Sequence, residues 1–465
     1  MGELRGSDRR IVAEQLGREP LVPFTVVARC SGRHPLVTRN APWGPDGAPF
    51  PTLFWLTCPD AVRAVSTLEA DGWIARLGDR AQADPPFADA IARAHAEYAR
   101  ERARGHAGAE SLGGVGGTRT GLKCLHAHYA NHLAGGDDVV GAWVAERVEP
   151  IHEERAGRLA AIDQGTNSTR LLVAEQRAEG FEDLARDMVI TRLGAGVDET
   201  GAIAADALER TMRVIERYAR RSRALHATTI RVAATSAVRD ASNRDELARR
   251  VREVTGSELE VVTGEHEARL SFLGATSGLQ EEVPEAHAPF LVLDIGGGST
   301  ECVIGTHGPA AAVSMQMGSV RLTERFVRSD PPDAGELEAL REAVGPLLEG
   351  ARAAIPFADA RTLVAVAGTS TTVQAIALGL PFYDPERIHR TRLSRSNAER
   401  VLAELASMST SERAALPVMA PGRADVIVAG ATILVEVMGR LGFEETLVSE
   451  TDILDGLLLE MLSCS

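Results

Sequence analysis

The sequence predicts an α/β protein with two similar lobes that follow a smaller N-terminal domain. One short motif occurs twice, as AIDQGTNSTRLLV at residues 161–173 and as VLDIGGGSTECVIG at residues 292–305. Each copy runs from apolar residues through Asp, Gly and Ser or Thr to a second apolar segment, which is typical of a β-hairpin with a glycine-containing turn. Strand-like and helix-like segments alternate around both copies, which favours α/β layers.

The length and composition indicate a globular protein of several domains. The chain has 465 residues, more than the roughly 250–300 at which single cores stop growing. Apolar residues make up 44% and charged residues 25%, as in soluble proteins. No membrane-length apolar run or secretory signal is visible, so the sequence predicts no membrane partner and a cytoplasmic location. The five scattered cysteines predict reduced thiols.

The charge of the chain argues against broad binding to nucleic acid. The formal net charge is −15, whereas proteins that bind nucleic acid or anionic membranes use clustered Lys and Arg. An anionic substrate would therefore need a local basic site.

Changes in composition along the chain predict three domains. Proline-rich patches and helix-like segments reach to about residue 104, and a glycine-rich connection follows at residues 105–121. We place the main boundary in the charged junction near residue 155. The predicted domains are a mainly α or α+β domain at 1–155, a first lobe at 156–288 and a second lobe at 289–465.

The two repeated turns predict a phosphate site. Their backbone N–H groups can form a nest for phosphate oxygens, and their short polar side chains add donors. The residues concerned are Thr166, Asn167, Ser168, Gly296, Gly297, Gly298, Ser299 and Thr300. An aspartate just before each turn, Asp163 or Asp294, would repel a bare phosphate, so a cation or a water molecule is needed between them. The alternative is an ordinary hairpin turn with a surface aspartate, which two matched copies make less attractive.

Eight stretches occur in order along the chain: AAIDQGTNSTRLLVAE, ITRLGAGVDETG, RVAATSAVRDASN, VVTGEHEARLSFLGA, LVLDIGGGSTECVIG, MGSVRLTERF, VAVAGTSTTVQAIALG and VSETDILDGLL. In this order they resemble the exopolyphosphatase/guanosine pentaphosphate phosphatase (Ppx/GppA) family of the actin, hexokinase and Hsp70 superfamily. The resemblance implies two actin-like (ribonuclease H-like) lobes around a cleft, in the short two-lobe form. It also implies release of the terminal phosphate of inorganic polyphosphate or pppGpp, and often a homodimer. The chain ends soon after the second lobe, so we expect a preference for short polyphosphate.

The resemblance also implies roles for individual residues. Glu267 would activate the attacking water, and Arg239 would clamp a phosphate. Asp163 and Asp294 would flank the reacting group and, with Glu301, hold Mg²⁺ or Mn²⁺. The turn residues named above would cradle the terminal phosphate. Two departures from the family pattern are Gln164 and His266, the second of which bears on the pH optimum.

Several alternatives stay open. Glu267 could be a helix-surface residue, and Arg239 could form a salt bridge with Asp240 or Asp245. The protein could be a kinase or ATPase of the same superfamily, a non-catalytic regulator that binds ppGpp or pppGpp, or a filament former. The sequence does not decide between polyphosphate and pppGpp.

The N-terminal third contains the stretches PFPTLFWLTCP, LEADGWIARL, AHAEYAR, GVGG and KCLHAHYANHLAGGDDVVGAWV. These stretches resemble a bacterial domain of unknown function (family 501). Cys124, His128 and His132 are spaced i, i+4, i+8, which predicts one helical face that could bind Zn²⁺, with His126 or Cys30 as a fourth ligand. The alternative is that these side chains pack within a small helical domain.

Overall fold

The structure is a computed structural model that describes residues 8–30, 34–44, 47–104, 106, 108–148, 157–177 and 180–463. The chain forms two compact units. One comprises Met1–Ala160, Leu171–Asp187 and Ile215–Ile230, and the other comprises Ala161–Arg170, Met188–Val214 and Arg231–Ser465. The predicted boundary near residue 155 lies outside the described residues, and the division at 155 and 288 stays a prediction.

The N-terminal region combines strands and helices, as the sequence predicts. An antiparallel sheet of order β1-β2-β3 contains β1 (Phe24–Arg29), β2 (Pro35–Asn40) and β3 (Phe54–Leu56). The described helices are α1 (Asp8–Leu16), α2 (Pro59–Ala70), α3 (Trp73–Ala83), α4 (Pro85–Ala103), α5 (Leu125–Leu133) and α6 (Val139–Val148). Short 3₁₀ turns lie at Ala109–Leu112 and Val115–Gly117.

Helix α4 is fixed at its start and along one face. The Asp84 side chain accepts a hydrogen bond from the Phe87 backbone N–H at 3.2 Å, which satisfies a donor that the first helical turn leaves unpaired. The Tyr98 hydroxyl accepts bonds from the backbone N–H groups of Leu53 (2.7 Å) and Phe54 (3.2 Å). Tyr98 therefore holds α4 against β3.

The central sheet has the order β6-β5-β4-β7-β8. Its strands are β4 (Arg158–Gln164), β5 (Ser168–Gln176), β6 (Phe181–Ile190), β7 (Thr229–Ala234) and β8 (Leu259–Val261). The helices that follow in the chain are α7 (Val197–Thr200), α8 (Ala205–Ala224), α9 (Ser236–Asp240), α10 (Arg244–Thr255), α11 (Gly264–Thr276) and α12 (Leu279–Glu282).

The last turns of α8 contact the N-terminal region within the first unit. Arg217 pairs with Glu101 at 2.6 Å, and Arg220 pairs with Glu97 at 2.6 Å. Both glutamates lie on α4. Arg220 also donates to the Gly135 carbonyl at 2.8 Å. These ion pairs join α8 to α4.

The C-terminal sheet has the order β11-β10-β9-β12-β14-β13. Its strands are β9 (Phe290–Ile295), β10 (Thr300–Gly305), β11 (Pro309–Met315), β12 (Thr362–Val366), β13 (Thr391–Ser394) and β14 (Glu445–Val448). The helices are α13 (Ser319–Phe326), α14 (Ala334–Ala351), α15 (Ala367–Ala377), α16 (Pro385–Ile388), α17 (Arg395–Ser407), α18 (Thr410–Ala414), α19 (Ile427–Leu441) and α20 (Ile453–Ser463). A 3₁₀ turn lies at Phe357–Asp359.

The two larger sheets share one strand order. In each, three consecutive strands are neighbours in reverse order, and later strands extend the sheet beyond the first of them, two in the central sheet and three in the C-terminal sheet. In the C-terminal sheet, β9, β10 and β11 are antiparallel, whereas β12 pairs parallel with β9 and with β14. The repeated motif is thus the hairpin β4–β5 in one sheet and β9–β10 in the other.

Strand β9 divides its side chains between two apolar clusters. Leu291 and Leu293 pack with residues of α14 and α19, whereas Phe290 and Val292 pack with residues of α11. Side chains alternate along a strand, so Asp294 shares the face of Val292, toward α11. The register of β9 therefore brings a carboxylate toward the helix that carries Glu267.

A close crossing fixes α11 against α20. A Cβ atom on Gly274 would lie 1.9 Å from the Asp452 carbonyl oxygen, and one on Gly456 would lie 2.0 Å from the Leu270 carbonyl oxygen. Neither site can hold a side chain without separating the two helices.

Two further sequence predictions can be compared with the structure. The described cysteines Cys30, Cys58, Cys124 and Cys302 form no disulfide, and Cys464 lies outside the described residues. In the part of the chain that the structure describes, no helix has both the length and the apolar character needed to cross a bilayer.

Candidate active site

The turns of the two repeated hairpins close in the same way. Gly165 donates its backbone N–H to the Ser168 carbonyl at 2.9 Å, and Gly296 donates to the Ser299 carbonyl at 3.0 Å. The position of each glycine relative to the preceding aspartate is identical in the two motifs. The two hairpins predicted from the motif are therefore observed, and their turns match.

The two turns face each other within the second unit. A Cβ atom on Gly297 would lie 3.1 Å from Thr166 Cβ and 3.2 Å from the Asn167 backbone nitrogen. One on Gly298 would lie 2.7 Å from the hydroxyl oxygens of Thr166 and Ser236. A side chain on Gly298 would overlap both hydroxyls and one on Gly297 would press on the Thr166–Asn167 segment, so the glycines allow this close approach. The sequence prediction that both turns close on one space agrees with this geometry.

The β9–β10 turn is fixed by the segment that begins α13. The backbone N–H groups of Ser319 and Val320 donate to the carbonyls of Gly296 and Gly297, each at 2.9 Å. Arg321 donates from Nε to the Gly298 carbonyl at 2.7 Å. Its guanidinium also pairs with Asp198 and Asp240. Arg321 therefore fixes the turn, a role that the stretch MGSVRLTERF does not indicate by itself.

Four buried carboxylates lie beside the turns and interact through electrostatic repulsion. Asp294 and Glu301 are direct cross-strand partners on β9 and β10. The side chains are buried, with relative exposures of 3% for Asp163, 8% for Glu267, 7% for Asp294 and 1% for Glu301. The burial of Glu267 contradicts the alternative that it is a helix-surface residue.

Burial and mutual repulsion raise the pKa values of this group. Burial raises the pKa of Glu267 to about 7, although Arg239 opposes the shift. Burial, with repulsion from Asp452, raises the pKa of Asp294 to about 6. Burial raises the pKa of Glu301 well above its ordinary value, and Glu267 and Asp294 add to the shift. A cation placed among these groups would favour their charged forms.

Arg239 contacts Glu267 directly. Its Nη1 donates to Glu267 Oε2 at 2.6 Å and to the Val262 carbonyl at 2.9 Å. The observed ion pair of Arg239 is with Glu267 rather than with Asp240 or Asp245, the two predicted alternatives, and Asp240 pairs with Arg321. Arg239 thus lies where it can orient the Glu267 carboxylate.

A second arginine lies beside Asp163. Arg170 donates from Nε and Nη2 to Asp163 Oδ2 at 2.8 and 2.7 Å, and it also pairs with Asp452. Burial raises the pKa of Asp163, and Arg170 opposes that shift. In the repeat, Arg170 occupies the position that Glu301 has in the second motif. The two halves of the site therefore differ in charge at matched positions.

The contacts of the remaining carboxylate oxygens show which of these atoms have a hydrogen-bond donor. Within the described residues, Asp163 Oδ1 and Glu301 Oε2 are buried and accept no hydrogen bond. Ser271 donates to Asp294 Oδ2 at 2.6 Å, and Ser314 donates to Glu301 Oε1 at 2.7 Å. Buried carboxylate oxygens without donors fit a hard divalent cation, which prefers oxygen ligands.

The side chains of Thr300 and Gln164, both singled out in the sequence, make their contacts within the fold. Thr300 is fully buried, and its hydroxyl donates to the Met317 carbonyl, so that side-chain donor is used within the fold. Gln164 is also buried and accepts a bond from the Thr169 hydroxyl at 2.6 Å. His266 faces Glu460, with 3.0 Å between Nε2 and Oε1.

The prediction that Cys124, His128 and His132 share one helical face is wrong. Cys124 is not part of α5 but precedes it with extended backbone angles (φ −157°, ψ 121°), so helical spacing does not apply to it. His128 is buried, and its Nδ1 lies 2.9 Å from Asp138. In the described residues, the group of potential ligands that converges is Glu69, Cys124 and His126.

Comparisons with known proteins agree with the fold and the motifs. Residues 172–464 match the Ppx/GppA phosphatase family, and residues 26–146 match a family described as protein of unknown function (DUF501). Exopolyphosphatase 2 of Mycobacterium tuberculosis is 44% identical over 318 residues, which cover 65% of this chain and 98% of that protein.

The chain is also similar to solved structures. An exopolyphosphatase-like protein is 36% identical, with a TM-score of 0.62, over 65% of this chain and 98% of its own. An Aquifex aeolicus member of the Ppx/GppA family is 29% identical, with a TM-score of 0.57, over 66% of this chain and 99% of its own. These structures confirm the predicted fold class. The chain belongs to the Ppx/GppA phosphatase family.

Proposed function

We propose that the protein hydrolyses the terminal phosphoanhydride bond of inorganic polyphosphate. The observation that carries the proposal is the approach of the two glycine turns to each other beside the buried Glu267 and Arg239. The name and 44% identity of the M. tuberculosis exopolyphosphatase support polyphosphate as the substrate.

The two turns are proposed to hold the terminal phosphate. Backbone N–H groups of Gly297, Gly298 and Ser299 would donate to its oxygens from one side, and the side chains of Asn167 and Ser168 from the other. Rigid donors that match the charge of the transferred group are the main requirement of phosphoryl transfer. The remaining N–H groups of Arg239 would bind another phosphate oxygen.

Glu267 is proposed as the general base. Its carboxylate would accept a proton from a water molecule as the water oxygen forms a bond to the terminal phosphorus. The bond from phosphorus to the bridging oxygen breaks, and the shortened chain leaves with that oxygen and its electron pair. A pKa near 7 suits this role, because the carboxylate is then a stronger base than an ordinary glutamate yet is ionised near neutral pH.

Asp163, Asp294 and Glu301 are proposed to hold a divalent cation, Mg²⁺ or Mn²⁺. Their burial, their raised pKa values and the unsatisfied oxygens of Asp163 and Glu301 fit such an ion. When bound, the ion would neutralise charge on the phosphate oxygens.

The terminal phosphate of pppGpp presents the same bond, so it is the second substrate to test. Phosphate release should be measured with short polyphosphate, long polyphosphate, pppGpp and ATP at saturating Mg²⁺. Turnover of polyphosphate well above that of ATP is expected. ATP turnover alone would favour the kinase or ATPase alternative. Tight pppGpp binding without any phosphate release would favour the non-catalytic regulator.

A further inference from the structure

We propose that Glu69, Cys124 and His126 form a binding site in the N-terminal region for a thiophilic divalent cation of the Zn²⁺ type. One potential ligand atom from each residue lies within 4.8 Å of the other two. The proposal is independent of the phosphohydrolase site, whose candidate ligands are all carboxylates.

The three residue types match the coordination preference of zinc. Zn²⁺ binds thiolate sulfur, imidazole nitrogen and carboxylate oxygen, with bonds of about 2.3, 2.0 and 2.1 Å. Tetrahedral bonds of these lengths place neighbouring ligand atoms about 3.3–3.6 Å apart. Side-chain rotations that bring the ligand atoms closer by up to about 1.5 Å would therefore suffice.

Helix α2 orients His126 for this role. The ring Nε2 lies 3.1 Å from the Val62 carbonyl oxygen and 3.2 Å from the Ser66 hydroxyl. A carbonyl oxygen only accepts, so Nε2 carries a proton and donates it. Metal-binding histidines commonly have this arrangement, in which a backbone carbonyl fixes the nitrogen that does not bind the ion. The other nitrogen, Nδ1, is then the ligand.

Glu69 extends the same face of α2. Val62, Ser66 and Glu69 are spaced i, i+4 and i+7, so they lie together along the helix. Glu69 Oε1 lies 3.1 Å from His126 Nδ1 and accepts the Leu125 backbone N–H at 2.6 Å. The oxygen and the nitrogen would both be acceptors if Nδ1 were unprotonated. Either a proton or a metal ion must therefore lie between them.

Cys124 supplies the third ligand from the residue that precedes α5. Its extended backbone places it outside the helix, which explains why the helical spacing of the sequence pointed to the wrong partners. All three side chains are partly exposed, so an ion can reach them from solvent. Three protein ligands leave a fourth position for water. A bound ion would join α2 to the start of α5.

Cobalt binding to the full-length protein tests the proposal. The protein is stripped with a chelator, and Co²⁺ is added, because Co²⁺ bound to a thiolate gives a charge-transfer absorption that carboxylate sites do not give. We expect this absorption to saturate at one equivalent and to be displaced by Zn²⁺. Cys124→Ser should abolish it, and Glu69→Gln should weaken binding by more than about tenfold.

Two matched variants separate this site from the alternatives. His132→Gln changes a histidine farther along α5, and Cys58→Ser changes the cysteine that precedes α2. Both should retain the absorption. His126→Gln, in contrast, should lose it. The proposal is overturned if the wild-type protein shows no thiolate absorption, if Cys124→Ser or His126→Gln keeps it, or if His132→Gln loses it. Circular dichroism identifies any variant that fails to fold. If Cys124→Ser is such a variant, the absorption of the wild-type protein and the weaker binding by Glu69→Gln test the proposal.

Discussion

Arg239 and Glu267 form a 2.6 Å ion pair beside a group of carboxylates that repel Glu267. The pair joins α9 to α11, two helices that follow different strands of the central sheet. Because the arginine stabilises the ionised glutamate while burial and the neighbouring carboxylates destabilise it, the protonation state of Glu267 depends on the balance between them.

Glu267→Gln is expected to lower kcat for phosphate release roughly 10²- to 10⁴-fold, because the amide cannot accept the proton of the attacking water. The KM should change little, since the phosphate cradle is left intact. Steady-state kinetics with polyphosphate provide the measurement. Glu265→Gln is the matched control, because Glu265 is exposed on the same helix and pairs with Arg269. A Glu267→Gln variant with normal kcat would refute the role.

The rate should also depend on pH in a defined direction. Glu267 is neutral below its pKa of about 7 and charged above it, and only the charged form accepts a proton. A bound cation favours the charged carboxylate and so lowers this pKa, and kcat is therefore expected to rise with pH through a value below 7 and then level off. Arg239→Gln removes the charge that opposes the raised pKa, so its profile should move to higher pH. A shift to lower pH would contradict the conclusion that Arg239 stabilises the charged form of Glu267.

The local features of the site could be predicted from the sequence. The Asp–Gly turns, the flanking strands and the equivalence of Asp163 with Asp294 follow from a motif of fixed spacing. Hairpins depend on neighbouring residues, so their signals are local. Pairing across the fold has no such signal. Arg170 meets Asp452 although the two are 282 positions apart, and no local pattern indicates that contact.

The metal ligands of the N-terminal region were predicted wrongly for a physical reason. Helical spacing relates residues only within one helix, and the sequence did not show that α5 begins after Cys124. The resulting prediction selected His128, which instead contacts the buried Asp138. Glu69 was missed because it lies on α2, far from Cys124 in the chain.

Gly274→Ala is expected to destabilise the protein by about 1–3 kcal/mol, because the new methyl group would overlap the Asp452 carbonyl and separate α11 from α20. Since α11 carries Glu267, activity should fall as well. Thermal and denaturant unfolding provide the measurement. Gly439→Ala is the control: it lies in α19 with open space around it, so it should stabilise by up to about 1 kcal/mol. Equal effects of the two substitutions would show that the crossing is not close.

Asp138→Ala is expected to destabilise the N-terminal region by about 3–5 kcal/mol, because it leaves buried partners unpaired. Asp138 accepts bonds from His128 and Asn131, each at 2.9 Å, and from the Gly141 backbone N–H at 2.8 Å. Asp137→Ala, which changes the exposed neighbour, should have little effect.

The contribution of Asp138 should depend on pH. Burial alone would raise its pKa, but His128 and the hydrogen bonds outweigh burial and lower it. The folded-state pKa is thus below the unfolded value of about 3.9, so the stabilisation is present above that pH and is lost as the pH falls through the folded-state pKa. Denaturant unfolding of the wild-type protein and of Asp138→Ala should therefore differ most near neutral pH and converge in acid. A difference that grows as the pH falls would mean that the ionised form of Asp138 is not the one that the fold stabilises.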